Sequence, residues 1–290
     1  MKIGLLDIDG HNFPNLALMK LSSFHQQRGD TVTWYDNFQG RFDVVYKSKV
    51  FTFTPDYKGF IDSEVIHEGG TGYSLTISLN KDIDNCLSDY SIYPKFENAY
   101  GFLTRGCIRN CLWCVVPRKE GNIQPYADIE DVLQGRKSAV LMDNNVLASD
   151  FGLKQIEKIV DLGCKVDFNQ GLDCRLVTEE IAHLLSKVKW IRYIRFSCDT
   201  IENLEPLLKV IEMLNKYGIK NYRFFVYLLV RNVDEANQIA DVLKKTGVTP
   251  FAQPYRDFEN KIKPTIEQKR FARYVNRKEI FNSIEWKDYR

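Results

Sequence analysis

The order of hydrophobic and polar positions changes regularly along the chain from residue 98 onward. Short runs rich in β-branched and aromatic residues alternate with longer stretches whose apolar residues recur every three or four positions. The first pattern is typical of buried strands and the second of amphipathic helices. The predicted strands are 99–104, 139–143, 165–169, 193–197, 223–230 and 249–254. The predicted helices are 128–134, 153–162, 178–186, 204–217, 233–246 and 265–281. This alternation predicts βα units around a parallel sheet.

The first part of the chain repeats the pattern on a smaller scale. Its predicted elements are a strand at 3–8, a helix at 15–27, strands near 31–35 and 42–50, and a short strand before Gly69 and Gly70. We therefore expect a small Rossmann-like α/β domain over residues 1–97 and a larger α/β domain over 98–257. A C-terminal helical segment over 258–290 is expected to pack on the larger domain.

Composition and charge are those of an ordinary globular enzyme. Hydrophobic residues make up 44% of the chain and charged residues 27%, and Lys+Arg 40 nearly balance Asp+Glu 38. This balance does not indicate a nucleic-acid partner, and no apolar run is long enough to cross a bilayer. The first residues have the pattern of a strand rather than of an export signal. We expect a cytoplasmic protein with reduced thiols and no membrane partner.

Three closely spaced cysteines follow the first strand of the larger domain. Cys107, Cys111 and Cys114 form a CxxxCxxC array, with Trp113 immediately before the last of them. Three thiolates on one loop can hold three corners of a cubane iron–sulfur cluster, whereas a closed cluster needs four. One iron would then be open to another ligand. A zinc site and a simple packing role are the alternatives, although zinc sites normally add a second cysteine pair or spaced histidines.

The cysteine array, with its aromatic residue, resembles the signature of the radical S-adenosylmethionine (SAM) enzymes. The resemblance implies a 4Fe-4S cluster on Cys107, Cys111 and Cys114, with SAM on the open iron. In that family the reduced cluster cleaves SAM to methionine and a 5′-deoxyadenosyl radical, which abstracts hydrogen from a substrate. The resemblance also implies an external electron donor such as flavodoxin or ferredoxin. About six βα units agree with the partial (β/α)6 barrel usual in the family.

Barrels of this kind build their sites at the carboxyl ends of the strands. The cofactor-binding residues expected there are Trp113, Asp143, Asn144, Asn145, Asn169, Gln170, Arg195, Ser197 and Gln253. The run Asp143-Asn144-Asn145 stands where many family members bind the SAM amino group, and a carboxylate with two amides can accept from an ammonium. Arg195 or Ser197 would hold the SAM carboxylate or ribose. The alternative for the run 143–145 is that it only turns the chain out of its strand.

The N-terminal domain resembles a shortened cobalamin-binding domain of one radical SAM subgroup, and the segment 169–175 resembles a motif of the same subgroup. Asp9, His11 and Pro14 match a DxHxxG loop, with Pro where Gly belongs, and Ser48 and the Gly69-Gly70 pair match two later motifs. The shorter spacing and the proline favour a domain whose loops help bind substrate without cobalamin.

Three functions follow from these patterns. The first is a radical SAM enzyme with an unassigned substrate, the second a cobalamin-dependent radical SAM methylase or cyclase, and the third a non-catalytic iron–sulfur or zinc-binding module. Cys174 and Cys198 also lie near strand ends, but scattered cysteines are usually small buried hydrophobic residues. We assign them no role at this stage.

Overall fold

The protein is described by a computed structural model that covers residues 1–257 and 260–290. The chain divides into two compact units, residues 1–100 with 130–136, and residues 101–129 with 137–290. The expected start of the C-terminal segment at residue 258 lies outside the described residues. Both units are mixed α/β structures with parallel sheets. No helix in the described part of the chain is long and apolar enough to cross a membrane.

The first unit is a four-stranded parallel sheet in the order β2-β1-β3-β4. Its elements are β1 (Lys2–Asp7), α1 (Leu16–Gln27), β2 (Thr31–Trp34), β3 (Phe42–Ser48), β4 (Ser63–Gly69) and α2 (Lys81–Asp84). The hydrophobic core of this unit includes Ile3 and Leu5 from the first strand and Leu18 and Leu21 from the first helix. The helix begins at Asn15, whose side chain accepts a hydrogen bond from the Leu18 backbone. The predicted strands and helix of residues 1–50 are all present.

The second unit contains most of the alternating elements. In chain order the elements from residue 99 onward are β5 (Ala99–Gly101), β6 (Thr104–Arg105), α3 (Val116–Lys119), β7 (Gln124–Pro125), α4 (Ile129–Leu133), β8 (Ser138–Leu141), α5 (Asp150–Leu162), β9 (Lys165–Phe168), α6 (Glu179–Lys187), β10 (Lys189–Trp190), β11 (Ile194–Ser197), α7 (Leu204–Lys216), β12 (Phe224–Val230), α8 (Val233–Thr246), β13 (Thr249–Pro254), α9 (Ile266–Asn276) and α10 (Lys278–Ser283). Of these, α4 lies almost wholly in the first unit, which includes residues 130–136.

The strands of this unit form two sheets that adjoin each other. One has the order β10-β9-β8-β5 and the other the order β11-β12-β13, with β8, β9 and β10 mutually parallel and β11, β12 and β13 mutually parallel. An isolated parallel bridge between Leu172 and Phe196 joins the chain beyond β9 to β11. Because these strands are parallel, their carboxyl ends lie along one edge, where loops can combine into a site.

The helices begin and end where local chemistry predicts. Ser149, Thr178 and Asn232 accept hydrogen bonds from the first turns of α5, α6 and α8. Helix α5 ends at Gly163, which has a φ of 63° in the left-handed region that favours glycine.

Two predicted elements are wrong in extent. The expected helix 265–281 is broken at Arg277, whose φ of −99° and ψ of 92° separate α9 from α10. The Asn276 side chain accepts from the Ala252 backbone N–H and donates to the Ala252 carbonyl oxygen, at 2.8 and 2.9 Å. This pairing with β13 holds the end of α9, which a helical pattern alone does not reveal.

The expected strand 99–104 ends at Gly101 and resumes as β6, which pairs antiparallel with β7. The backbone N–H groups of Leu103 and Thr104 donate to the Asp143 carboxylate rather than to a strand. The Asp143 side chain, which follows β8, therefore takes the place of a strand partner beyond the end of β5.

Candidate cysteine-loop site

The three cysteines lie on the loop between β6 and α3. All three thiols are half-buried and free of disulfide bonds, whereas Leu112 at the tip of the loop is 96% exposed. The loop begins at Gly106, which has a φ of 85°, and a Cβ there would lie 2.2 Å from the Asn122 carbonyl oxygen. Only glycine fits this turn. The backbone N–H of Cys107 donates to the Gly121 carbonyl at 3.2 Å, so the loop folds back on itself.

Asp143 anchors the approach to this loop. It follows β8 and is 3% exposed. Its Oδ1 accepts from the Leu103 N–H at 3.0 Å, from the Thr104 N–H at 2.6 Å and from the Thr104 hydroxyl at 2.8 Å. Burial raises the pKa of this carboxyl to about 6, and the hydrogen bonds from Thr104 and Leu103 oppose that rise. The side chain is thus committed to the protein backbone.

The next two residues hold the loop itself. Asn144 Oδ1 accepts from the Gly106 N–H at 3.2 Å. Asn145 Nδ2 donates to Cys107 Sγ at 3.4 Å and to Asp173 Oδ2 at 3.4 Å. Asn145 Oδ1 is buried and has no hydrogen-bond partner in the part of the chain that the structure describes. The run 143–145 therefore contacts successive residues of the segment 103–107 and keeps one acceptor unused.

Asp173 is the ionic centre beneath the loop. Arg109 of the cysteine loop donates through Nε to its Oδ2 at 2.9 Å, and Arg175 donates to both of its oxygens, at 2.7 and 3.0 Å. Burial disfavours its charge, but the hydrogen bonds from Arg175 and Arg109 hold the pKa of Asp173 below its usual range. The residue is ionised at neutral pH, and it joins the turn after β9 to the cysteine loop.

Two of the three thiols, Cys111 and Cys114, occupy an environment that favours their protonated form. Burial raises the pKa of Cys111 and of Cys114, and the other thiols of the loop and the Asp199 carboxylate add to the effect. A thiolate must form before a metal is bound, so metal uptake here would release protons. The positive charge of bound iron would compensate for the negative charge of the thiolates and of Asp199.

Trp113 is part of a second group at the carboxyl ends of β11 and β12. The Arg231 guanidinium stacks on the Trp113 ring, with its central carbon 3.7 Å from the ring centroid. Burial raises the pKa of Asp199, and hydrogen bonds from the Leu229 backbone and the Trp113 side chain oppose that rise. Arg231 Nε is buried and, within the described residues, has no hydrogen-bond partner. It is a guanidinium donor that remains available beside the loop.

The other residues predicted for the site are arranged differently. Arg195 is paired with Asp167 through two contacts of 2.6 and 2.8 Å and also donates to the Tyr227 hydroxyl. Asn169 contributes its backbone carbonyl, which accepts from the same hydroxyl at 2.8 Å. The remaining three are half-buried or exposed, and they are Gln170, Ser197 and Gln253. The structure therefore places Asn144 and Asn145 against the cysteine loop, which carries Trp113. It pairs Arg195 with the Asp167 carboxylate of β9.

Sequence reasoning missed two residues of this site. Arg231 directly follows the predicted strand 223–230, so its position at a carboxyl end was a signal that could have found it. Asp173 lay in the segment 169–175 and was not singled out. Its role depends on two arginines, Arg109 and Arg175, and their convergence is not visible in the chain order.

A single metal ion and a cubane cluster place different demands on the three thiols. A single zinc ion needs its ligands within about 2.0–2.3 Å of one point. Among the described residues no group of three histidine, cysteine or acidic side chains could hold one ion. A cubane makes a different demand, because each thiolate binds a separate iron. Three half-buried thiols on one loop, with an N–H donor at Cys107, are residues of the kind that a cubane binds.

Several residues of the first unit that match cobalamin motifs already have partners within that unit. Ser48 accepts from Asn15 Nδ2 at 2.8 Å, and the ring of His11 packs against that of Trp34 at an angle of 37°, with centroids 4.1 Å apart. A Cβ at Gly70 would lie 2.3 Å from the Lys49 carbonyl oxygen, so that glycine is needed for close backbone packing. The residues that match cobalamin motifs are thus used inside the unit.

Comparison with known proteins gives matches among solved structures only. No protein-family model matches the chain, and no curated protein matches it. A crystal structure of Streptococcus suis SuiB bound to precursor peptide SuiA is similar, with a TM-score of 0.47 and 15% identity. The match covers 71% of this chain and 55% of that chain, so this chain spans about half of its length. A likeness of this strength assigns neither family nor function.

Proposed function

We propose that the protein is a radical SAM enzyme in which Cys107, Cys111 and Cys114 hold a 4Fe-4S cluster. The observation that carries the proposal is the CxxxCxxC loop itself, tied at Gly106 and Cys107 to side chains that follow the next strand. A loop that served only as a linker would have no need of these anchors. The proposal includes an external one-electron donor, such as flavodoxin or ferredoxin.

The proposed architecture is a partial (β/α)6 barrel preceded by a small Rossmann-like domain over residues 1–97. Its support is the strand orders β5-β8-β9-β10 and β11-β12-β13, each of which follows the chain order. The bridge between Leu172 and Phe196 makes the two sheets neighbours. The cysteine loop follows the first of these strands, on the side where such folds carry their sites.

Two unpartnered atoms support SAM as the ligand of the open iron. The methionine end of SAM carries an ammonium, which needs an acceptor, and a carboxylate, which needs a donor. Among the residues that the structure describes, neither the buried acceptor Asn145 Oδ1 nor the buried donor Arg231 Nε has a hydrogen-bond partner. We assign Asn145 to the ammonium and Arg231 to the carboxylate. The arginine is suited to the second task because it is always charged.

The chain's own residues then have separate tasks. Cys107, Cys111 and Cys114 would hold the cluster and leave one iron open for SAM. Trp113 carries the Arg231 guanidinium on its ring and so fixes the direction of that donor. When bound, the reduced cluster supplies the electron that cleaves SAM. A site that lies at the carboxyl edge of the strands would direct the resulting radical to substrate held by the surrounding loops.

Anaerobic reconstitution with iron and sulfide, reduction with dithionite and addition of SAM test this function. We expect 5′-deoxyadenosine from the wild type and none from a variant with Cys107, Cys111 and Cys114 all replaced by Ala. Cys164→Ala, which removes a buried thiol after α5, is the matched control and should retain the product. Stoichiometric zinc without cluster absorbance or 5′-deoxyadenosine would instead identify a metal-stabilised binding protein.

A further inference from the structure

Asn145 is the residue of the site whose contacts most need an explanation. It is 3% exposed and lies in the loop that follows β8, with a φ of −163° and a ψ of 66°. Its Nδ2 reaches both Cys107 Sγ and Asp173 Oδ2 at 3.4 Å, while its Oδ1 is buried without a partner among the described residues. An unpaired buried polar atom costs about 1–3 kcal/mol, so its presence in a native fold needs an explanation.

The orientation of this amide follows from its neighbours. The Asp173 carboxylate is held ionised by Arg109 and Arg175. An amide turned the other way would set its carbonyl oxygen against that carboxylate and against the Cys107 sulfur, and all three atoms would be acceptors. The NH₂ group must therefore face the sulfur. Asp173 thus fixes Asn145 with its donor toward Cys107.

Cys107 consequently receives two N–H donors. The backbone N–H of Arg109 points to its Sγ at 3.3 Å, and Asn145 Nδ2 is the second donor. Hydrogen bonds to ligand sulfurs stabilise the more negative, reduced state of an iron–sulfur cluster and are one of the factors that set its potential. Residues of this kind also orient the ligand.

We propose that Asn145 is a positioning residue that donates to the Cys107 thiolate and raises the reduction potential of the cluster. The inference rests on the proposed function, since it concerns a cluster held by these cysteines. It goes beyond that function because it assigns one side chain two separate contacts. Nδ2 acts on the cluster ligand, and Oδ1 remains for the bound SAM.

Asn144 provides a matched control within the same turn. Its Oδ1 accepts from the Gly106 N–H at 3.2 Å. Replacing it removes an anchor of the same loop, one residue before Cys107, without removing a hydrogen bond to sulfur. An effect that comes only from loosening the loop should therefore be seen with both asparagines, and an effect on the sulfur only with Asn145.

The first experiment is an anaerobic redox titration of reconstituted wild type, Asn145→Leu and Asn144→Leu, followed by electron paramagnetic resonance. We expect the midpoint potential of Asn145→Leu to shift to more negative values, because a donor to the thiolate is lost, and that of Asn144→Leu to stay near the wild type. Asn145→Ala serves in place of Asn145→Leu if the larger side chain prevents folding. Equal potentials in both variants would overturn the inference.

A second measurement, on the metal-free protein, separates this inference from the proposed function. Hydrogen exchange across residues 106–114 should be severalfold faster in Asn145→Leu than in the wild type, because Cys107 loses its contact with the turn after β8. Wild type that takes up no cluster would sink the proposed function, and the exchange data would then decide whether Asn145 holds the loop. Unchanged exchange would overturn that role as well.

Discussion

The sheet of the first unit and the strands of the second unit both end in polar loops at their carboxyl edges. In the first unit, Asp9 accepts from the backbone N–H groups of Val50 and Phe51 and from the Thr54 hydroxyl. Asp7 accepts from the Tyr93 hydroxyl at 2.7 Å. These carboxylates are satisfied within their own unit, so they hold loops together.

The edge of the second unit is different, because its polar groups are only partly satisfied. Asn145 Oδ1 and Arg231 Nε are buried there with no hydrogen-bond partner among residues 1–257 and 260–290, and the cysteine loop carries three thiols without disulfide bonds. In the described part of the chain, every buried side-chain nitrogen or oxygen atom that lacks a hydrogen-bond partner belongs to the second unit. The presence of polar residues at strand ends is therefore a poor guide to function. The groups that remain available after folding are a better one.

The largest effect is expected at the cysteines. Replacing Cys107, Cys111 or Cys114 individually by Ser should abolish cluster retention and 5′-deoxyadenosine formation, because each thiolate binds its own iron. Iron and sulfide analysis of the reconstituted proteins measures this. His11→Ala in the first unit is the control and should bind the cluster as the wild type does. Full retention of iron in any one cysteine variant would contradict the ligand assignment.

Asp143 should carry the next largest effect, on stability. Asp143→Ala leaves the N–H groups of Leu103 and Thr104 unpaired in a buried place, and should lower the free energy of unfolding by about 3 kcal/mol. Asn144→Ala loses a single bond to Gly106 and should cost about 1 kcal/mol. Chemical denaturation of the metal-free proteins gives both values. Equal costs would show that Asp143 is not the principal anchor.

The same carboxyl predicts a dependence of stability on pH. Burial raises the pKa of Asp143 to about 6 in the folded protein, above the usual value of 3.8 for the unfolded chain. The folded state therefore holds this proton more tightly, and the stabilisation is complete below about pH 4 and is lost as the pH rises through about 6. Its amplitude is about 3 kcal/mol. In unfolding measurements over this range, Asp143→Asn should have a weaker pH dependence than the wild type, and identical slopes would refute the assignment.

Arg231 and Arg195 allow a matched test of the two edge arginines. Arg231→Gln should weaken SAM binding about tenfold, since a charged donor to a carboxylate contributes about 1.5–3 kcal/mol. Arg195→Gln should leave the SAM affinity near that of the wild type, because Arg195 is engaged with Asp167. Anaerobic equilibrium binding of SAM to the reconstituted proteins compares them. Weaker SAM binding by Arg195→Gln than by Arg231→Gln would instead assign the SAM carboxylate to Arg195.

The smallest effect is expected in the first unit. Asp9→Ala should lower the free energy of unfolding by about 1 kcal/mol, because its partners at Val50 and Phe51 are on partly exposed backbone. Formation of 5′-deoxyadenosine should be unchanged. A variant that kept its stability and lost SAM cleavage would place Asp9 in the chemistry and remove the distinction between the two edges.

The regular elements could be predicted because each carries its own local pattern. The strand 223–230 is almost wholly apolar, and β12 occupies most of it. Helix α6 begins after Thr178, as its capping chemistry predicts. Strand β10 was not predicted, because two residues are too few to show a period. The break at Arg277 was missed because it depends on Asn276 contacting a strand more than 20 residues earlier in the chain.

The candidate site could be predicted only in part, for a related reason. The position of the run 143–145 after a strand was visible in the sequence, and so was the cysteine spacing. The sequence could not show that Asp143 turns to the backbone, or that Asn145 has one atom engaged and one atom free. Which atom of a side chain is used depends on groups that converge only in the folded protein.

The most direct test of the second-unit site is electron paramagnetic resonance of the anaerobically reconstituted, reduced protein with and without SAM. A cluster with three protein ligands and an open iron should give a 4Fe-4S signal that changes when SAM is added. The variant lacking Cys107, Cys111 and Cys114 should give no signal. A signal that SAM leaves unchanged, or no signal in a wild-type protein that retains zinc, would contradict the proposed radical SAM chemistry.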